Sequence, residues 1–418
     1  MKPPYLRTRY FTPLWERLRG EPRLIQVVVG PRQVGKTTLA LQVVARWKGP
    51  TRYDTADQPV PPTTSWIEAQ WDAARRLVRG RRREALLVLD EIQKVPRWSE
   101  VVKRLADEDR RRDTPLRVAL LGSSALLMQR GLSESLAGRF ELHRHPHWSF
   151  DECRRYFGLS LDEYVYFGGY PGALALRGEE ERWRQFVRDA LIETVLSKDV
   201  LLLAPVSKPA LLRQVFGLAV SAPAQIISYQ HMLGSLQDAG NATTIASYLR
   251  LLSSAFLVCP LERFSGSRVK QRGSTPKLVV LDNALVTAMQ GVPFAQLKRD
   301  PASWGRLVEN AVGAQLHWAT QIHGGSLYYW RDRHEEVDFV IEQGQARCAI
   351  EVKSGAGAVP LHGLETFRRR HPQTRAAVIA PARHRTKNAA SPLYLSLERF
   401  FHQVEEGIAH LLGFGEGR

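Results

Sequence analysis

The segment from residue 30 to residue 37, GPRQVGKT, has the residue types and the spacing that phosphate binding requires. Glycines in the pattern GxxxxGK[ST] let the backbone curl so that its N–H groups face an anion at the start of a helix. In this pattern Lys36 reaches the β- and γ-phosphates of a nucleotide, and Thr37 ligates Mg²⁺. The sequence therefore predicts an ATP-binding loop made of Gly30, Pro31, Arg32, Gln33, Val34, Gly35, Lys36, Thr37 and Thr38.

A pair of acids, Asp90 and Glu91, follows the apolar run from Leu86 to Leu89. This is typical of a buried parallel strand that delivers carboxylates to the active edge of a sheet. We expect Asp90 to hold Mg²⁺ through water and Glu91 to act as the general base on the attacking water. An exposed acidic strand end is the alternative, and the phosphate-binding loop upstream disfavours it.

Three polar residues further along the chain are weaker candidates for the same site. Ser123 and Ser124 follow the apolar strand Val118 to Leu121, where a polar side chain could sense the γ-phosphate; ordinary capping of a helix by serine is the alternative. Arg139, in the segment SLAGRF, could act as an arginine finger on the nucleotide of a neighbouring subunit. Its alternative is a surface salt bridge.

A second constellation of chemical groups lies near the C-terminus. Glu309 is in a predicted helix, Asp338 in a predicted strand, and Glu351 and Lys353 in the next strand. Because side chains alternate along a strand, Glu351 and Lys353 share one face and can converge with Asp338. The carboxylates of Asp338 and Glu351 could hold Mg²⁺, and Lys353 could position water for attack on a phosphodiester. Such a constellation can also bind metal or DNA without cutting.

The elements that position these residues can be predicted from hydrophobic patterns. A buried strand, Leu24 to Val29, leads directly into the phosphate-binding loop and a helix. The middle of the chain has a helical pattern from about Leu161 to Val200. After it, the region from Leu211 to Glu262 predicts helices, a turn and a strand in the order of a helix-turn-helix with a wing, with Thr243 to Ser254 as the helix that could approach DNA. A role of that helix in protein packing alone remains open.

Composition restricts the classes of partner. The 418 residues include 59 Lys and Arg against 42 Asp and Glu, a formal net charge of +17. Such an excess attracts polyanions, and nucleic acid is the commonest one in a cytoplasm, although a bias toward arginine codons is an alternative. No apolar run is long enough to cross a membrane and no signal peptide is evident, so we expect a cytoplasmic protein. The three cysteines, Cys153, Cys259 and Cys348, have no spacing typical of disulfides or zinc.

These motifs together resemble the AAA+ ATPase superfamily, and in particular a prokaryotic group that joins such a core to a C-terminal domain long labelled as of unknown function. The resemblance rests on GPRQVGKTTL, LLVLDEIQKVPRW, LLGSSALLM, SLAGRF, HPHWSFDE, GGYP and KLVVLDNAL, which are spread over most of the chain. The stretch HPHWSF departs from the leucine-rich PLSF-like sequence that is more usual there. The C-terminal constellation resembles the PD-(D/E)xK restriction-endonuclease-like superfamily. That resemblance implies Asp338 as the first acid, Glu351 and Lys353 as the ExK pair, and Glu309 as a third, helix-borne acid at a site for Mg²⁺ or Mn²⁺. The resemblance implies ATP, Mg²⁺ and a homo-oligomer, with a ring of about six copies.

The predicted fold is therefore α/β, with a P-loop AAA+ parallel-sheet core, a helical lid, a winged-helix-like middle domain and a C-terminal α/β nuclease-like domain. The expected bounds are 1–22 for an N-terminal segment, 23–158 for the ATPase core, 159–208 for the lid, 209–292 for the winged-helix-like domain and 293–418 for the nuclease-like domain. Three functions fit: an ATP-hydrolysing protein that binds or cuts DNA, a nucleotide-switched scaffold with a silent nuclease-like module, and a motor that remodels proteins. The last ranks lowest because no aromatic pore loop is evident.

Overall fold

The computed structural model describes residues 5–78, 84–123, 136–200, 206, 208–237, 240–265, 274–355, 361–381 and 392–408. The chain divides into two compact units, residues 1–147 and 148–418. We call them the N-terminal and the C-terminal unit.

The N-terminal unit is built on a parallel five-stranded sheet in the order β2-β3-β4-β1-β5. This confirms the α/β fold with a parallel core. The strands are β1 (Ile25–Val29), β2 (Thr51–Thr55), β3 (Ala85–Asp90), β4 (Leu116–Gly122) and β5 (Phe140–Arg144). The helices are α1 (Thr8–Arg19), α2 (Lys36–Arg46), α3 (Thr64–Leu77) and α4 (Trp98–Arg112).

The central strands of this sheet are covered on both faces, which explains why they are apolar without alternation. Every residue of β1, β3 and β4 is buried. One face packs with α3 and α4 through residues such as Trp71 and Val102, and the other packs with α1 and α2 through residues such as Leu14 and Val43. Because a parallel sheet covered by helices needs apolar side chains on both sides, the runs IQVVV and ALLVLD are the expected sequences. The carboxyl ends of β1 and β3 therefore meet at one edge of the sheet.

The C-terminal unit begins with four helices, of which the first falls within the bounds predicted for the ATPase core and the other three begin within those predicted for the lid. They span Phe150–Phe157, Leu161–Phe167, Pro171–Leu174 and Glu180–Phe186, and the last continues in wider π-helical turns to Asp199. These helices pack inside the C-terminal unit. The Asn283 amide donates to the Val165 carbonyl (2.7 Å), and the Thr287 hydroxyl donates to the Tyr166 carbonyl (2.8 Å).

A small three-stranded sheet follows in the middle of the chain. Its strands, β6 (Gln225–Ile226), β7 (Val258–Leu261) and β8 (Lys277–Val280), lie in the order β6-β8-β7 and are antiparallel. The associated helices are Pro209–Ser221, Tyr229–Ser235 and Ala242–Ser254, with Asn283–Gln290 and Phe294–Arg299 after the sheet. The helix considered for DNA contact buries Tyr248, whose hydroxyl accepts from the Lys208 backbone N–H (3.2 Å).

The last third of the chain forms a mixed five-stranded sheet in the order β13-β12-β11-β10-β9. Strands β9 (Ser326–Asp332), β10 (Glu335–Gln343) and β11 (Ala346–Val352) are antiparallel to one another, whereas β12 (Thr374–Ala380) and β13 (Leu393–Ser396) continue parallel to β11. The helices are Pro301–His323 before β9, His362–Arg370 between β11 and β12, and Leu397–Glu406 after β13.

The loop GGYP is joined to the strand-to-helix junction LDN by a buried carboxylate. The Asp282 carboxylate accepts from the backbone N–H groups of Gly169 (2.8 Å) and Ala284 (2.9 Å). Gly168, which directly precedes Gly169, has a φ of +68°, and a Cβ there would clash with an Asp282 oxygen. Both the backbone conformation and the close approach thus require glycine at this position.

We expect Gly168→Ala to lower the free energy of unfolding by about 2–4 kcal/mol, because it combines an unfavourable left-handed backbone with displacement of a hydrogen-bonded buried carboxylate. Urea unfolding of the full chain, followed by circular dichroism, measures the change. Gly178→Ala is the matched control, since a Cβ at Gly178 meets nothing within 4 Å. Equal stability of the two variants would contradict this role of the Asp282 contact.

The structure also describes the cysteines and the longest helices. All three cysteines are buried and form no disulfide. Within the described ranges, no helix is long and apolar enough to cross a bilayer.

Candidate functional site

The phosphate-binding loop lies between the carboxyl end of β1 and the start of α2, as its sequence predicts. Gly35 precedes the helix with a φ of +97°, which only glycine adopts without strain. The loop also needs glycine at its first position, because a Cβ on Gly30 would clash with the backbone carbonyl of His145. Lys36 is buried, and its ammonium group donates to the carbonyls of Gly30 (3.0 Å) and Pro31 (2.6 Å). The loop thus places a cation over a curled backbone at a helix N-terminus, which suits a phosphate.

The loop and the acidic strand end meet directly. The Thr37 hydroxyl donates to the Asp90 carboxylate at 2.6 Å, and the Tyr53 hydroxyl donates to the same oxygen at 3.2 Å. Burial raises the pKa of Asp90, and burial together with the Asp90 carboxylate raises the pKa of Tyr53. The Thr37 hydroxyl and the Asp90 carboxylate thus lie side by side, and both are hard oxygen ligands of the kind that Mg²⁺ takes beside a nucleotide. The donor set therefore fits Mg²⁺.

Glu91 is held in a defined position beside this pair. Its backbone has a φ of +52°, unusual for a residue other than glycine, and its N–H donates to the other Asp90 oxygen at 2.8 Å. Its carboxylate accepts from the Ser123 hydroxyl (2.9 Å) and from the Gln93 amide (2.5 Å), and Gln93 also donates to Ser123 (3.1 Å). Backbone strain at such a position is common at functional sites. Ser123 thus contacts the predicted general base, whereas Ser124 lies outside the described residues.

Arg139 lies at the opposite end of the sheet from the phosphate-binding loop. Its carbonyl accepts from the N–H of Ile25, the first residue of β1, whereas the loop begins after the last residue of that strand. Five residues of strand span roughly 16 Å. The Arg139 guanidinium is paired with Asp107 of α4 (2.8 Å) and lines a cavity of about 390 Å³ with residues of β1, α4 and β4. Arg139 is therefore distant from the nucleotide loop of its own chain.

The four C-terminal candidates do come together, on the elements that the sequence predicts. Glu309 lies on helix Pro301–His323, Asp338 on β10 and Glu351 on β11, and Lys353 follows the end of β11. Asp338 accepts from the Val352 N–H at 2.8 Å, which is a contact across the β10–β11 pair. The Lys353 ammonium forms an ion pair with Glu351 at 2.6 Å.

The metal site predicted from these three acids stays a prediction, and the structure describes a lysine among them. No group of three or more His, Cys, Asp or Glu in the described part of the chain is placed to hold a metal ion. The fully buried ammonium of Lys277 lies among them instead, 2.5 Å from Glu309 and 3.5 Å from Asp338. Glu336 contributes a third carboxylate at 3.4 Å. A protein cation thus lies between Glu309 and Asp338, two of the three carboxylates that were expected to share Mg²⁺ or Mn²⁺.

The electrostatics of this cluster follow from burial. Burial and the charge of Asp338 raise the pKa values of both Glu309 and Glu351 above their usual range. Despite burial, the three surrounding carboxylates raise the pKa of Lys277, so its ammonium stays charged. Burial and neighbouring negative charges both disfavour the ionised form of a carboxyl group, which is why the pKa values of Glu309 and Glu351 rise.

Sequence reasoning missed four residues that contact these sites: Tyr53, Gln93, Lys277 and Glu336. Gln93 carried a signal, because it lies two residues after Glu91 in DEIQ. Lys277 carried one as well, because it is a charged residue at the start of the buried strand KLVV. Tyr53 lies on β2, 37 residues from Asp90, and no local pattern indicates that contact.

Comparisons with protein families divide the chain into three segments. Residues 22–154 match a family model described as an AAA domain. Residues 158–296 and 304–399 match models described as domains of unknown function, DUF8612 and DUF4143 respectively. The N-terminal unit, with its parallel sheet and phosphate-binding loop, therefore matches an AAA domain over most of its length.

Whole-chain relatives are themselves uncharacterized proteins. One from Mycobacterium tuberculosis is 28% identical over 368 residues, covering 86% of this chain and 77% of the relative. One from Methanocaldococcus jannaschii is 23% identical over 343 residues, covering 77% of this chain and 72% of the relative.

Among solved structures, the Aeropyrum pernix Orc1 protein in complex with DNA has a TM-score of 0.31 at 15% identity, covering 70% of this chain and 94% of that one. The Thermotoga maritima RuvB Holliday junction branch migration motor has a TM-score of 0.32 at 15% identity, covering 60% and 87%. Similarity to structures at this level carries no argument about partners or substrates.

Proposed function

We propose that the chain binds and hydrolyses ATP at the edge of the N-terminal sheet where β1 and β3 end. The observation that carries this proposal is the hydrogen bond of 2.6 Å between Thr37 and Asp90, because it joins the phosphate-binding loop to the acidic strand end. The adjacent Glu91 carboxylate is oriented by Ser123 and Gln93. The residues assigned to phosphate binding, to metal binding and to proton transfer therefore lie close together.

Each residue has a role that follows from its chemistry. ATP with Mg²⁺ supplies the phosphoanhydride to be cleaved. Lys36 would neutralise charge on the phosphates, Thr37 would provide an oxygen ligand to the metal, and Asp90 would hold the metal through water. Glu91 accepts a proton from the attacking water, which requires its carboxylate to be ionised and correctly aimed. Ser123 and Gln93 are positioning residues, because they act through Glu91.

We further propose that DNA is the partner that this ATPase acts on. Residues 1–147 contain 28 Lys and Arg against 16 Asp and Glu, whereas residues 148–418 contain 31 against 26. Most of the excess positive charge is therefore in the ATPase unit, and a cationic excess of this size favours a polyanion. The ATPase unit would then contribute to DNA binding as well as hydrolysing ATP.

The C-terminal unit contributes two arrangements that support a DNA partner. Its middle part has the order helix, short strand, two helices and two antiparallel strands, which is the order of the predicted winged helix. Its last part brings Glu309, Asp338 and Glu351 together on a helix and two adjacent strands, which is the order of the predicted nuclease-like fold. We propose that this last part binds DNA.

We also propose that copies of the chain assemble, since Arg139 is too far from its own phosphate-binding loop and could serve as a finger only on the nucleotide of a neighbour. A ring of about six copies is the form implied by the family resemblance. Light scattering of the chain with ATP and Mg²⁺ measures the number of copies. A monomer under these conditions would rule out this role of Arg139.

ATP hydrolysis by the full chain, measured with duplex, branched and single-stranded DNA, tests the DNA proposal. We expect one form of DNA to stimulate turnover, with a stimulation that weakens as salt rises because bound phosphates release counterions. Arg250→Glu, a charge reversal at an exposed position of helix Ala242–Ser254, should weaken the apparent affinity for that DNA.

Arg182→Glu is the matched control, because Arg182 is also exposed in the C-terminal unit but lies on helix Glu180–Phe186. Equal loss in both variants would mean that the winged-helix-like part has no specific role. Turnover that no DNA changes would overturn the DNA proposal in favour of a nucleotide-switched scaffold that acts on a protein partner.

A further inference from the structure

The C-terminal acidic cluster contains an internal cation that the nuclease-like prediction did not include. Lys277 is the first residue of β8, the middle strand of the small sheet, and its backbone is paired with Ile226 on one side and Leu261 on the other. Its side chain is fully buried. A lysine fixed at its backbone in this way has little freedom to withdraw its ammonium group from the cluster.

The ammonium of Lys277 has a complete set of partners. It forms ion pairs with Glu309 at 2.5 Å, Glu336 at 3.4 Å and Asp338 at 3.5 Å, and it donates to the Asp338 carbonyl at 3.2 Å. It also lies 5.0 Å from the centre of the Phe339 ring, a favourable position for a cation. Buried charges persist when they are paired and hydrogen-bonded in this way.

Each acid of the predicted metal set already has a partner from the chain. Glu309 is paired with Lys277, Asp338 with Lys277 and the Val352 N–H, and Glu351 with Lys353. A Mg²⁺ ion bonds to oxygen at about 2.1 Å and demands an octahedral shell of ligands and waters. An ion bound to the Glu309 oxygen that Lys277 contacts would lie within about 5 Å of the Lys277 nitrogen, so the ion and the ammonium group would compete for the same oxygen.

We infer that Lys277 is a resident counter-ion that replaces a divalent metal in the cluster of Glu309, Asp338 and Glu351, so that the nuclease-like part is a metal-free module that does not cut DNA. The cluster stabilises the joint between the small sheet and the mixed sheet, since Lys277 comes from β8 and its partners come from the helix and β10. This inference does not depend on ATP turnover or on DNA binding, because metal alone tests it.

The first experiment measures the melting temperature of the nucleotide-free full chain in EDTA and in Mn²⁺. We expect Lys277→Met to lower the melting temperature by roughly 5–10 °C in EDTA, because it leaves buried carboxylates without their cation. We expect Mn²⁺ to restore part of that loss in the variant and to leave the wild-type melting temperature unchanged. Lys353→Met is the matched control, because it removes the lysine of the predicted ExK pair and leaves Lys277 in place.

A second variant keeps the inference testable if Lys277→Met does not fold. Lys277→Met with Glu309→Gln removes the cation and its nearest carboxylate together, so the double variant should recover most of the lost melting temperature and show no response to Mn²⁺. A double variant no more stable than Lys277→Met alone would overturn the pairing. Mn²⁺ binding by the wild type that disappears in Asp338→Asn would overturn the replacement of the metal, as would Mg²⁺-dependent DNA cleavage that disappears in Lys353→Ala.

Discussion

Glu91→Gln should reduce the rate of ATP hydrolysis by about 10²–10⁴-fold while nucleotide affinity stays within a few-fold of the wild type, because the amide keeps the shape of the side chain but cannot accept a proton. The amide can still contact Ser123 and Gln93, which accept and donate hydrogen bonds, so the fold of the site should persist. Steady-state phosphate release and fluorescent-nucleotide titration measure the two quantities. The loss should lie in kcat.

Glu100→Gln is the control for this change. Glu100 is exposed at the start of α4 and forms a surface ion pair with Arg97, so its neutralisation should leave turnover unchanged. Equal loss of hydrolysis and of nucleotide binding in Glu91→Gln would contradict the role of general base and would indicate that Glu91 maintains the structure of the site.

Lys36→Ala should weaken nucleotide binding by roughly 100-fold or more, since a charge-assisted hydrogen bond to phosphate contributes about 1.5–3 kcal/mol and Lys36 reaches two phosphates. Hydrolysis should fall with binding. The side chain is buried and donates to two loop carbonyls, so circular dichroism must first show that the variant folds.

Lys48→Ala is the matched control, because Lys48 is an exposed lysine just after the helix that Lys36 begins. It should bind nucleotide as the wild type does. Nucleotide affinity that survives in a folded Lys36→Ala variant would contradict the assignment of the loop.

The ATPase fold could be predicted from sequence because its signals are local. The loop residues lie within nine consecutive positions, and the acids directly follow the strand that delivers them. The place of each motif in the fold therefore follows once the strand before it and, for the loop, the helix after it are recognised. The order of strands in the sheet, β2-β3-β4-β1-β5, could not be read in this way, since it depends on which apolar strands pair at a distance.

The C-terminal cluster shows where such prediction fails. Its acids were found because each lies on a recognisable helix or strand. Lys277 was not, since it is 32 residues from Glu309 and 61 from Asp338, and only the packing of two sheets brings them together. A motif of acids cannot reveal whether a metal ion or a lysine balances their charge.

The central claim is that one site binds ATP through its loop and cleaves it through Glu91. The most direct test is to incubate the wild type, Glu91→Gln and Lys36→Ala with ATP and Mg²⁺, isolate each protein, and identify the nucleotide that remains bound. We predict ADP on the wild type, intact ATP on Glu91→Gln and no nucleotide on Lys36→Ala. Intact ATP on the wild type, or ADP on Glu91→Gln, would contradict the claim.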